Sequence, residues 1–126
     1  MAATGKPKLK ECGDSGEAWA SLEAYGKEFL TLTYKTAVLP SRVVVHSNYN
    51  PGQITGVWIV SEDGNMTQIY AAKPSADAEC PLALEIPLDG IDAPVNKVIV
   101  DVDQKKKLGL GWTEIDAVEL VGTIPE

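Results

Sequence analysis

Residues 111 to 123, GWTEIDAVELVGT, set three carboxylates (Glu114, Asp116 and Glu119) into a run otherwise built from Ile115, Ala117, Val118, Leu120 and Val121. A glycosidase needs two carboxylates converging across a cleft, about 5–9 Å apart, with water or sugar between them. On an extended strand Glu114 and Asp116 share one face, about 7 Å apart by rise, and Glu119 falls on the other. Distance alone therefore permits acid–base chemistry. A plainer task competes with it: an acid near a strand start accepts hydrogen bonds from loop amides and ties the end of the sheet. The second reading is preferred, and the chain is expected to carry no catalytic residue. An enzyme would need Glu114 or Asp116 in an open cleft with a raised pKa.

Binding chemistry has better material. HSNYNPG (46–52) gathers an imidazole, a hydroxyl, a phenol and two amides. Vicinal sugar hydroxyls are recognised by such planar polar groups beside an aromatic ring, which makes Asn48, Tyr49 and Asn50 ligand candidates. The same residues also spell a turn in which Asn side chains close on their own backbone. Trp112, after GLG (109–111), is either a ring closing the sandwich or a platform for the apolar face of a pyranose. Trp19 reads as core. In ITGVWIV (54–60), Val57 and Ile59 share one face and Gly56, Trp58 and Val60 the other. With Val57 and Ile59 inside, Trp58 points outward and joins the ligand or interface candidates. His46, near a strand end, reads as a hydrogen-bonded or exposed residue rather than a base.

Asp14, Asp101, Asp103 and Asp116 supply the hard oxygen donors that calcium prefers, although no EF-hand spacing is present. Zinc is excluded by the lack of any CxxC pair and by a single histidine. Cys12 and Cys80 form either a disulfide or two separate thiols. GLG is no dinucleotide fingerprint, and there is no phosphate-binding loop.

The chain has 126 residues, the size of one domain, with 44% hydrophobic and 23% charged residues. Eleven basic residues against 18 acidic ones leave a net charge of −7, which argues against a nucleic-acid partner. Lys105-Lys106-Lys107 reads as a solvated loop. No apolar run approaches the roughly 18 residues of a membrane span, and the first residues lack the apolar segment of a secretory signal.

The elements that must position these residues are short strands. EFLTLTY (28–34) alternates Phe29, Thr31 and Thr33 against Leu30, Leu32 and Tyr34. LPSRVVVHS (39–47) follows, then ITGVWIV, and MTQIYAA (66–72) after an Asp63-Gly64 turn. CPLALEIP (80–87), KVIVDVD (97–103) and EIDAVELVG (114–122) complete the series, and Trp19 to Leu22 adds a strand or extended lead-in. About eight strands with evenly spaced turns predict an all-β fold, an antiparallel β-sandwich of jelly-roll type, in one domain over 1–126.

In order, ATGKP (3–7), CGDSGEAWAS (12–21), EFLTLTYKTAVLPSRVVVHSNYNPG (28–52), VWIVSEDGNM (57–66) and GWTEIDAVELVG (111–122) resemble the discoidin-like, galactose-binding-domain-like sandwich modules, including carbohydrate-binding types. Such modules carry a further stretch with the first strand before the segment matching ATGKP, so the resemblance implies a short variant, a trimmed piece, or a domain whose edge strand is supplied by something else. Their strand at VWIV usually has a polar residue where Trp58 stands. The resemblance implies a non-catalytic carbohydrate-binding or adhesive module that reads glycans through loops at one end, with room for a structural calcium and no other cofactor. An extracellular or cell-surface setting goes with it. The alternative is a protein-interaction or structural domain using an exposed sheet face or edge, with an oligomer or a neighbouring domain covering it.

Overall fold

The computed structural model describes residues 19–20, 26–76, 80–104 and 113–125. Seven strands run through them: β1 (Trp19–Ala20), β2 (Gly26–Tyr49), β3 (Ile54–Ser61), β4 (Met66–Ala71), β5 (Leu82–Pro87), β6 (Val95–Gln104) and β7 (Glu114–Thr123). Every pairing is antiparallel, and the sole helical turn among the described residues is the 3-10 turn Pro51–Gln53. The expected all-β, sandwich-like fold is present.

One strand organises it. The two strands expected at 28–34 and 39–47 are a single element of 24 residues. Its first half, Gly26–Thr33, pairs with β6. Its second half lies between β7 and β5. The change occurs where the β6 register breaks between Thr33 and Val38 and the β7 register breaks between Pro40 and Arg42. Pro40 has no N–H to give a ladder, so it sits where the ladder shifts. The inward positions change parity across this break, from Leu30 and Leu32 to Val43 and Val45. The order β1-β7-β2-β6-β3-β4, with β5 also on β2, therefore reads as two sheets sharing β2. The first holds β1, β7, the second half of β2, and β5. The second holds the first half of β2, then β6, β3 and β4.

The core lies between them. Leu32, Val43, Val45, Val57, Val98, Val100 and Val118 are buried in one cluster, with Ile59 and Ile115 beside them. Each such aliphatic side chain, taken from water, stabilises by roughly 1.5–3 kcal/mol before entropy is counted. The expected inward placement of Val57 and Ile59 holds. Close approach fixes one glycine here: Gly122 pairs with Pro40, and a Cβ on it would run into the Leu39 carbonyl.

At the β3–β4 hairpin, Asp63 accepts hydrogen bonds from the Ser61 hydroxyl and from the Asn65 backbone and side-chain amides. These donors, the Ser61 hydroxyl foremost, hold its carboxyl below the ordinary range. Cys80 is half of a disulfide, and the sequence holds one other cysteine, Cys12, which lies outside the described residues.

Candidate functional site

The acids of GWTEIDAVELVGT divide by burial. Glu114 is fully buried, and its Oε1 accepts a hydrogen bond from Asn48 Nδ2 at 3.2 Å. Its carbonyl accepts the Ser47 hydroxyl at 2.7 Å. Around this pair a polar network closes the end of the sandwich. Gln53 donates to the Thr113 hydroxyl, which donates to the Asn50 carbonyl, and the Thr113 amide donates to Gln104 Oε1. Gln104 in turn donates to the Gly26 carbonyl at the start of β2. Buried polar groups are tolerated when they satisfy one another in this way.

Two bulges shape that end. The β2–β7 register passes from His46↔Ala117 to Ser47↔Ile115 and then to Tyr49↔Glu114, skipping Asp116 on one strand and Asn48 on the other. Simple alternation therefore fails here: Ile115 and Val118 both face the core although three residues apart, with the extra residue between them. Asp116 is buried and borders a small pocket of about 170 Å³ with His46, Asn48 and Pro81. Asn48 is buried, Tyr49 half-buried, and Asn50 takes the left-handed conformation that turns the chain into Pro51. Of the three loop candidates, then, Asn48 is enclosed while Tyr49 and Asn50 remain partly open to solvent. Farther along β7, Glu119 Oε2 lies 3.5 Å from His46 Nε2.

The outer face of the second sheet is different. Registers across four strands set side chains in rows: Phe29, Asp101, Gly56 and Ala71 form one, and Thr31, Ile99, Trp58 and Gln68 the next. Trp58 is half-buried and lies away from the core, and its Nε1 donates to Asp101 Oδ2 at 2.9 Å. That bond crosses diagonally over Gly56. A Cβ at Gly56 would lie 3.0 Å from Asp101 Oδ2 and 3.3 Å from Gln68 Nε2, so the missing side chain leaves the space in which the carboxylate reaches the indole.

Beside this pair an open groove of about 770 Å³ runs along the sheet. Asp101, Asp103, Glu28, Phe29 and Gln68 border it, with Lys27 and Lys73. Phe29 is 68% exposed. Carboxylates, an amide, ammonium groups and an aromatic ring therefore share one concave surface. Of the expected metal ligands, Asp101 and Asp103 stand here, Asp116 belongs to the first sheet, and Asp14 lies outside the described residues. Among the described residues no group of three or more His, Cys, Asp or Glu is placed to hold a metal ion. Trp112 and the Lys105–Lys107 run also lie outside them. No helix among the described residues is long and apolar enough to cross a membrane.

A family model described as Pappalysin-1, SD scarf domain, C-terminal, matches residues 1–126. The chain belongs to this family. A search of curated proteins gave no match. In this scarf-domain chain, then, the groove draws on residues that were not among the expected ligand contacts, Phe29, Gln68, Lys27 and Lys73, and Gly56 makes room for the Trp58–Asp101 bond beside it. One signal was present in EFLTLTY, where an aromatic residue occupies the polar side of an alternating strand. Gly56 and Gln68 gave none, because their importance lies in a cross-strand register.

Proposed function

We propose that the chain is a non-catalytic binding module that holds a glycan in the groove on the outer face of the second sheet. The observation that carries this reading is the Trp58–Asp101 pair, an aromatic residue and a carboxylate fixed to each other beside an open concave surface. Asp101 and Asp103 accept hydrogen bonds from sugar hydroxyls, Gln68 both donates and accepts, and the exposed ring of Phe29 offers an apolar face to a pyranose. The resemblance to discoidin-like modules supports the same class of ligand, with the site moved from the loop end to the sheet. The family description names a domain, and an accessory role accords with it. Shallow sites of this kind bind in the micromolar to millimolar range, roughly −8 to −4 kcal/mol.

The test is a glycan array probed with the chain, with Trp58→Ala and with Asp101→Asn, in calcium and again in chelator. Binding to a defined sugar set that both variants lose supports the proposal, and calcium dependence would bring the aspartates into ligand coordination. A blank array from folded protein would count against it.

A second reading, a protein ligand on the same face, has one observation in its favour. Phe29 and Met66 are 68% and 54% exposed on a single sheet face that also holds Trp58.

A further inference from the structure

Antiparallel sheets end in strands whose outer backbone groups invite another strand, and proteins protect such edges with charge, proline, bulges or brevity. The edges of this molecule are unequally protected. In the first sheet β1 has two residues, and β5 carries Glu85, 3.8 Å from Arg42, and ends in Pro87. In the second sheet the edge of β2 has Lys27 and Glu28 at one end and Lys35 just beyond the paired segment. At the opposite edge, β4 reads Met66-Thr67-Gln68-Ile69-Tyr70-Ala71, with no charge and no proline. Met66, Thr67, Gln68 and Ala71 are exposed. Among the described residues β4 is the last strand of its sheet.

We infer that β4 is a self-association edge: two copies of the chain pair β4 against β4, antiparallel, about a two-fold axis near Gln68 and Ile69. Three features fit a second copy. The strand is neutral, so self-pairing sets no like charges opposite each other along the seam, although each chain carries a net charge of −7. The faces also match. The β3–β4 register steps from Val57↔Tyr70 to Trp58↔Gln68, skipping Ile69, so Met66 and Ala71 share the outer face while Thr67 and Tyr70 lie on the inner one. Two-fold pairing about the bulge puts Met66 opposite Ala71 of the second copy and Thr67 opposite Tyr70, outer to outer and inner to inner. The bulge, the one protective device that β4 has, becomes the centre of symmetry. Finally, the flanks are complementary. Lys73 follows β4 and the turn with Glu62 and Asp63 precedes it, so antiparallel pairing brings the acidic turn of each copy to the lysine of the other.

The pairing is isologous, closing at two copies. It sets both outer faces on the same side of one continuous sheet. It does not depend on what the groove binds.

Sedimentation velocity on the whole chain, over a concentration series up to the solubility limit, tests it. Wild type is expected to pass from monomer to dimer. Gln68→Lys sets two ammonium groups near the axis and should weaken association about tenfold or more, with circular dichroism and melting temperature unchanged. Lys73→Glu should weaken it by a smaller factor, and Glu62→Lys combined with Lys73→Glu should restore it. A chain that stays monomeric throughout overturns the inference, as does a Gln68→Lys chain that dimerises like wild type. A double variant no better than Lys73→Glu alone overturns the antiparallel pairing.

Discussion

Glu114 at the end of the first sheet and Asp101 on the face of the second make the same elementary contact. Each carboxylate accepts a hydrogen bond from a side-chain N–H, of Asn48 at 3.2 Å and of Trp58 at 2.9 Å. Their surroundings differ. Glu114 and Asn48 are buried inside a network that joins β2, β7, the turn at Pro51 and the end of β6. Asp101 and Trp58 are half-buried beside a groove open to solvent. Enclosed, the contact holds two strand ends together; at the surface, it fixes an aromatic ring and an acid to each other beside an open groove, where the proposed ligand would sit. Residue type does not distinguish the two roles. What lies on the far side of the carboxylate does.

The comparison breaks most readily at Glu114. Glu114→Ala removes the carboxylate that accepts the Asn48 Nδ2–H from a buried network, and should lower stability by about 3 kcal/mol in chemical denaturation. A loss below about 1 kcal/mol would show that the network is not what closes this end. On the exposed side the signs reverse. Asp101→Asn and Gly56→Ala should change stability by about 1 kcal/mol or less while weakening ligand binding about tenfold. Asp101→Asn alters the acceptor, and Gly56→Ala displaces it from the indole. If either variant unfolds the chain, the face serves structure and the contrast fails.

A smaller effect lies between the two regions. Tyr34 donates to the Val118 carbonyl at 2.7 Å, and burial first, then the Glu119 carboxylate, holds its proton well above the ordinary phenol range. In the unfolded chain the phenol ionises near pH 10, about its ordinary value, while in the folded chain it does not. Its contribution is therefore complete below about pH 10 and is lost as the pH rises beyond it. Tyr34→Phe should cost about 1 kcal/mol at neutral pH and flatten the alkaline part of the stability profile.

Much of the scaffold was legible because strand alternation is a local property. EFLTLTY and VWIV assign their inward residues by parity alone, and the placement of Leu30, Leu32, Val57 and Ile59 follows. Parity fails where a partner strand inserts or omits a residue. Nothing in EIDAVELVG announces the skipped Asp116, nor does HSNYN announce the skipped Asn48. Continuity through Pro40 is equally hidden, since proline signals a break in the ladder but not whether the chain goes on into a second sheet. The Trp58–Asp101 contact depends on how β3 and β6 are aligned, and that alignment is set by the whole core. The outward direction of Trp58 could be read from sequence; its partner could not.

The long strand β2 also sets a timetable for synthesis. Its first half is completed by Val95–Gln104 and its second by Leu82–Pro87 and Glu114–Thr123, all made later than β2 itself. While the ribosome is still adding those segments, Leu30, Leu32 and Val43–Val45 have emerged with no strand to receive them. Pairings so distant in sequence form slowly, and unpaired apolar strands are open to wrong partners meanwhile. A nascent chain halted before residue 114 would have the groove-bearing sheet within reach but only β5 to flank the other half of β2. The last ten-residue strand is what ends the exposure.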